Sequence, residues 1–282
     1  MISVVIPAHN ESRTIGRCLG AMIDRLAEKE LEIVVVCNGC NDNTAGIARS
    51  FGPPVQVVET DVASKSVALR MGDEAATAFP RFYVDADVEL SIDSIRRVSD
   101  ALLQGPWLAA APRMKVDLSD RKWAVRAYYA IWTRLPYHTS GMIGSGVYAL
   151  SEAGRRRFDT FPDIISDDGF VRRQFNPEER GSVEDTSFTI RAPETLAGVV
   201  KIKTRSQKGA VQLERAYPEL ASNDVRDYSS ALLDIFRDPR QWANCLVYLY
   251  VILNTKLRAY WLNYSHDLDE WERDETSRIT PP

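Results

Sequence analysis
No run of apolar residues in this 282-residue chain approaches the roughly 20 needed to cross a bilayer, so no spanning helix is expected. The first residues, Met1-Ile2-Ser3-Val4-Val5-Ile6, lack a basic leader and read as a strand, which argues against a secretory signal. Cysteine is scarce: Cys18, Cys37, Cys40 and Cys245 are too few for a disulfide scaffold at this length. Positive charge is not in excess. The 35 Lys and Arg face 39 Asp and Glu, a net -4 that excludes a general nucleic-acid binder. Internal repeats and low-complexity segments are lacking too. What remains is 45% hydrophobic and 26% charged, the make-up of a soluble globular protein, with a cytoplasmic location expected.

The chemistry gathers at Arg81-Phe82-Tyr83-Val84-Asp85-Ala86-Asp87-Val88-Glu89. Phe82, Tyr83 and Val84 are residues of a buried strand, and two carboxylates follow where it ends. Residues i and i+2 of an extended chain share a side, so Asp85 and Asp87 can face one point. Like charges that close repel unless a cation lies between them. Their oxygens are hard ligands, which suits Mg²⁺ or Mn²⁺ with substrate phosphates completing the shell. The plainer alternative is that Asp85 caps a turn.

Strand and helix alternate through the first half. Ser3–Ile6 is a continuous apolar strand ended by Pro7-Ala8-His9-Asn10, and a helix follows with Glu11 and Ser12 at its start. Leu31–Val36 is the next strand. It ends in the polar turn Cys37-Asn38-Gly39-Cys40-Asn41-Asp42-Asn43-Thr44, which opens a helix to Arg49. Val55–Glu59 is a third strand, and a helix from about Ser64 to Ala78 leads to the Asp85 strand. This order predicts an α/β fold, a mainly parallel sheet with helices on both faces. Ligands of such sheets bind beyond the carboxyl ends of the strands, where the loops 7–11, 37–44 and 85–87 converge.

These segments resemble the family-2 glycosyltransferases of the A-type, nucleotide-diphospho-sugar fold. The resemblance rests on Val4-Val5-Ile6-Pro7-Ala8-His9-Asn10-Glu11, the turn Asn38–Thr44, the helix Lys65-Ser66-Val67-Ala68-Leu69-Arg70-Met71-Gly72, and Tyr83–Asp87, in that order. It implies that Pro7, Ala8 and Glu11 line the base and ribose pocket. It places Lys65 at the nucleotide or diphosphate, Asp85 and Ala86 beside the ribose, and Asp85 and Asp87 on the metal. Asn38 stands where the family usually has an aspartate that addresses the base. Asparagine donates as well as accepts, so a UDP- and a GDP-linked donor both remain open. A solvated helix lysine at Lys65 and dipole compensation at Glu11 are the plainer alternatives. Cys37 and Cys40 are spaced like a redox pair, but two small residues filling a tight turn is the favoured reading.

In the second half, Trp107–Pro112 reads as a strand followed by Met114–Val116, and Lys122–Trp132 as an aromatic-rich helix whose rings pack in a core. The glycines of Ser140–Leu150 allow close backbone approach. The resemblance sets Gly144, Ser145 and Gly146 at the sugar and acceptor. It also makes Asp168 the catalytic base of an inverting transfer, with Asp167 in the place of the family's glutamate. A carboxylate suits removal of the acceptor's hydroxyl proton; an acidic helix start is the alternative. Val183–Ile190 and Leu196–Lys203 read as strands, and Thr204–Gly209 as a basic loop. Gln212 and Arg215 resemble the Gln-x-x-Arg-Trp motif of processive synthases, but Ala216 replaces the tryptophan, which weakens a processive reading. Arg205, Lys208 and Arg215 are candidates to neutralise the leaving diphosphate.

Gln241–Tyr264 reads as one long helix, with Trp242, Leu246, Leu249, Leu253, Leu257, Tyr260 and Tyr264 on a single stripe. Packing on its own domain, pairing with a second subunit and lying on a membrane surface stand in that order. The tail from His266 is expected to be loosely ordered. The expected organisation is a single transferase domain over 1–235, with 1–115 binding nucleotide and metal and 116–235 binding sugar and acceptor. Residues 236–282 form a helical appendage and tail. The expected activity is a metal-dependent, non-processive, inverting transfer from a nucleotide-sugar to a hydroxyl. A sugar-1-phosphate nucleotidyltransferase and a non-enzymatic nucleotide-binding or redox protein using Cys37 and Cys40 are the alternatives.

Overall fold
The computed structural model describes residues 1–139, 145–224 and 229–264. It divides into two compact units. The first comprises Met1–Lys115, Gly141–Asp163 and Asp167–Ile190; the second comprises Val116–Ser140, Ile164–Ser166 and Arg191–Pro282.

The first unit begins β1 (Ile2–Ala8), α1 (Ile15–Ile23), β2 (Leu31–Asn38), α2 (Thr44–Arg49), β3 (Val55–Thr60), α3 (Lys65–Ala75) and β4 (Arg81–Val84). β1, β2, β3 and β4 pair in parallel, as the alternation predicts. Every residue of β1 and of β4 is buried, which explains why both are apolar apart from Ser3 and Arg81. The unit continues with β5 (Glu89–Leu90), α4 (Ile92–Gln104) and β6 (Ala109–Asp117). After α5 (Trp123–Trp132) and α6 (Pro136–Thr139) come β7 (Val147–Leu150), α7 (Glu152–Arg155), α8 (Asp167–Arg173) and β8 (Arg180–Arg191). β7 lies between β4 and β6 and runs antiparallel to both. The eight strands follow the order β3-β2-β1-β4-β7-β6-β8-β5.

Helix α3 shows how sequence sets position. The Ser64 hydroxyl accepts from the Val67 amide at 3.4 Å and caps the helix, which puts Lys65 on its first turn. Gly72 lets α3 press on the sheet, since a Cβ there would lie 2.4 Å from Val5 Cγ1 and 3.1 Å from Val36 Cγ2. Helix α4 was not anticipated, although Ile92, Ile95, Val98 and Leu102 recur at helical spacing and all are buried.

The second unit contains α5, α9 (Leu196–Ala216), α10 (Ser229–Arg237) and α11 (Trp242–Tyr264). Two expectations fail here. Leu196–Lys203 is not a strand and Thr204–Gly209 is not a loop: both lie in α9. Thr195 caps this helix, accepting from the Gly198 amide at 3.1 Å. Val199, Val200, Thr204 and Leu213 then bury one side, and that burial overrides the strand preference of β-branched residues. The aromatics of α5 do serve a core, with Tyr128 and Tyr129 buried, whereas Trp123 is exposed.

Helix α11 forms as expected, but its inner face is the other one. Cys245, Val251, Thr255 and Ala259 are buried, and the helix packs on α5 and α9. Trp242, Leu246, Leu249, Tyr250, Leu253 and Leu257 are 40–69% exposed. The helix is apolar on two sides, and its smaller residues permit the closer approach. Among the described residues no helix is long and apolar enough to cross a membrane.

Candidate active site
Two loops come together at the carboxyl ends of β1 and β2. The Asp42 carboxylate accepts from the Ser12 amide at 3.1 Å and the Thr44 amide at 3.0 Å. Asn10 Oδ1 accepts from the Asn41 amide at 2.8 Å, and Thr44 Oγ1 accepts from the Glu11 amide at 2.7 Å. The Cys40 thiol donates to the Ala8 carbonyl at 3.3 Å, so this cysteine ties loop to strand. Glu11 is 6% exposed and its carboxylate accepts from the Thr14 hydroxyl at 2.8 Å. Asn38 is 3% exposed, and its carbonyl is bonded to the His9 ring at 2.5 Å.

The central feature is an ion cluster at the end of β4. Lys65 Nζ lies 2.8 Å from Asp85 Oδ1 and 3.0 Å from Asp167 Oδ1. Burial works against the ammonium, but Asp167 and Asp85 outweigh it and hold Lys65 charged well above the ordinary lysine range. Asp167 is 4% exposed. Beside it, Asp168 is pushed up to about 6, first by burial and then by the charge of Asp167. Its Oδ1 accepts from the Gly169 amide at 2.7 Å. Pro7, Lys65, Tyr83, Asp85, Gly146, Tyr148 and Asp167 line one pocket. Lys65 and Asp85 face each other inside it, so Lys65 is not a solvated helix lysine.

Gly146 explains the glycines before β7. It adopts a φ of 99°, and its carbonyl accepts from the Asp85 amide at 2.8 Å. A Cβ there would sit 3.0 Å from Val88 Cγ2 and 3.7 Å from Asp85 Oδ2. Ser145 adjoins it in sequence, Ala86 is buried, and Gly144 lies outside the described residues.

Among the described residues no group of three or more His, Cys, Asp or Glu is arranged to hold a metal unaided. Asp85 and Asp87 nonetheless suit a hard cation completed by phosphate oxygens. The Cys18 thiol registers the local field. Burial pushes its ionisation up, and Asp87, Asp85, Glu11 and Glu89 add to that push. A divalent cation is the chemical complement of such a concentration of carboxylates.

Four predicted residues belong to the second unit. Arg205, Lys208, Gln212 and Arg215 all lie on α9. Gln212 Oε1 accepts from the Ile165 amide at 2.9 Å, so it fastens the short segment that precedes Asp167 in the chain. Two residues of the first unit escaped the sequence reading. Asp73 sits under Tyr83, accepting from its hydroxyl at 2.5 Å and pairing with Arg81 at 2.5 Å and Arg155 at 2.7 Å. Tyr148, opposite Tyr83 across the β4–β7 ladder, lines the pocket. Strand alternation after Gly146 was its only signal.

Loops at the carboxyl edge of parallel strands, with carboxylates and a lysine among them, stand where α/β folds bind their ligands. Residues 3–159 match the model of Glycosyl transferase family 2, and the chain belongs to that family. Membership argues against the nucleotidyltransferase and redox alternatives. The fold is similar to that of the mannosyltransferase PcManGT from Pyrobaculum calidifontis, solved with GDP-Man and Mn2+. The TM-score is 0.63 at 18% identity, over 92% of this chain and 87% of that one. Glucosyl-3-phosphoglycerate synthase from Mycobacterium tuberculosis, solved with Mn2+, UDP and glucosyl-3-phosphoglycerate, gives a TM-score of 0.53 at 18% identity. It covers 76% of this chain and 79% of its own. In sequence, 4,4'-diaponeurosporenoate glycosyltransferase of Staphylococcus aureus (strain USA300) is 34% identical over 91 residues, 31% of this chain. The match spans 24% of that relative's length.

Proposed function
We propose that the chain transfers a sugar from a UDP- or GDP-linked donor to an acceptor hydroxyl, by single displacement with inversion. The observation that carries this reading is the cluster in which Lys65 joins Asp85 to Asp167, with Asp168 adjacent. Pro7, Ala8, Glu11 and Asn38 form the base and ribose end of the pocket, and Lys65 meets the diphosphate. Asp168 accepts the proton of the acceptor hydroxyl as that oxygen attacks the anomeric carbon. Its carboxyl, pushed up to about 6, is ionised at neutral pH yet more basic than an ordinary aspartate. Asp85 and Asp87 would hold Mn²⁺ or Mg²⁺, which supplies charge stabilisation to the leaving diphosphate. Ala216 at the end of α9 fits a non-processive enzyme.

Calorimetric titration with UDP and with GDP, each with Mn²⁺ and with chelator, tests the donor site. One nucleotide is expected to bind, and to lose binding with chelator and in Asp87→Ala. Failure of both nucleotides to bind under any condition would overturn the reading.

The outer face of α11 is proposed as the contact with a second copy of the chain. Trp242, Leu246, Leu249, Leu253 and Leu257 step by four, three, four and four, the spacing of one continuous helix face. The exposed charged residue in that row is Lys256, few cations for a helix resting on anionic lipid. Light scattering is expected to show a dimer, and Leu246→Glu with Leu253→Glu a folded monomer. A monomeric wild type that sediments with phosphatidylglycerol vesicles would assign the face to lipid instead.

A further inference from the structure
Tyr148 is 3% exposed, and its phenol oxygen makes no hydrogen bond among the described residues. Buried hydroxyls are nearly always bonded, so one that is not asks for a reason. Its place is fixed from two sides. Tyr148 pairs with Tyr83 across the β4–β7 ladder, and the two rings stack with centroids 5.0 Å apart. Tyr83 spends its own hydroxyl on Asp73, at 2.5 Å. Tyr148 keeps its hydroxyl, and it lines the pocket that holds Lys65, Asp85 and Asp167. After burial, Asp167, Tyr83, Asp168 and Asp85 raise its ionisation, so the phenol stays protonated and remains a donor.

In the resting protein one ammonium serves two carboxylates, Asp85 at 2.8 Å and Asp167 at 3.0 Å. A nucleoside diphosphate brings more negative charge to the same ammonium. Drawing Lys65 toward phosphate leaves Asp167, 4% exposed, as a buried carboxylate in need of a donor. We propose that Tyr148 is a positioning residue that takes Asp167 over from Lys65 when the donor nucleotide arrives. The stacked ring cannot travel, so the carboxylate turns to meet it; a protonated phenol gives its hydrogen bond without changing the net charge. This exchange couples donor binding to the setting of Asp167, and through it to the adjacent Asp168. The inference rests on the nucleotide-sugar reading of this pocket.

Tyr148→Phe deletes the hydroxyl and keeps the ring stack. Among the described residues that hydroxyl has no partner in the free protein, so the melting temperature is expected to stay where it is. Affinity for the nucleoside diphosphate that the wild type binds, measured by calorimetry, is expected to fall about fivefold to tenfold. In an Asp167→Asn background, whose side chain carries no charge to strand, Tyr148→Phe should cost nothing further. Unchanged affinity in the single variant overturns the proposal. So does an equal loss in both backgrounds, or a lower melting temperature of free Tyr148→Phe, which would mark a structural hydroxyl. A wild type that binds neither UDP nor GDP defeats the functional reading itself, and shows it before any variant is made.

Discussion
Asp168→Asn is expected to lower kcat by about 10²–10⁴-fold while leaving donor KM nearly unchanged, because the proton acceptor is lost and the nucleotide pocket is not. Steady-state kinetics at saturating donor checks it; full turnover in the variant would remove Asp168 from the base role. The pH dependence follows from the same group. Asp168 titrates at about 6 in the fold, against an ordinary aspartate value of about 4. Its ionised form is the active one, so kcat should rise with pH through about 6 and then level. Asp167→Asn removes the charge that is the second cause of the shift, and the acid limb should move to lower pH. Stability runs the other way. The folded state holds this proton more tightly than the unfolded chain, so the contribution of Asp168 to stability declines as pH rises from about 4 through about 6. Asp168→Asn should therefore melt no lower than the wild type above that range.

Asp73→Ala should be the most destabilising single change in the first unit, by about 3–5 kcal/mol. Its carboxylate pairs with Arg81 at 2.5 Å and Arg155 at 2.7 Å and accepts from the Tyr83 hydroxyl at 2.5 Å. The side chains of Arg81 and Arg155 are only 7% and 14% exposed, so removing Asp73 strands two guanidinium charges away from water. Burial raises the carboxyl of Asp73, and its bonds from Arg155, Tyr83 and Arg81 overcome that and hold it below the ordinary aspartate range. Its stabilising share is thus present at neutral pH and is lost only in acid. Urea denaturation is the measurement; a change under about 1 kcal/mol would mean the network contributes little.

Most of the parallel half of the sheet was legible because β1, β2 and β4 are buried on both faces and are mostly apolar, whereas β3 at the edge is only half-buried. Part of the pocket was legible because Pro7 and Asp85 stand near strand ends and Lys65 and Asp167 at helix starts. Asp85, Lys65, Pro7 and Asp167 line it together. Helix α9 was not legible. Val199, Val200 and Ile202 look like a strand, and only burial of one side reveals a helix. The partners of Asp73 were invisible for another reason: Arg81 and Arg155 lie 8 and 82 residues away, and no local period links them. Tyr148 was hidden by its ordinariness, since nothing in Val147-Tyr148-Ala149-Leu150 says which neighbours it will lack.

The Lys65 cluster also sets an order of events. The single ammonium of Lys65 stands between the carboxylates of Asp85 and Asp167, so this group of three carries more negative than positive charge toward a diphosphate that is itself an anion. A free nucleotide is repelled at long range, and one that arrives already chelated is not. Association should therefore speed up with added salt for the bare nucleotide and change little for its chelate, a contrast visible in stopped-flow traces.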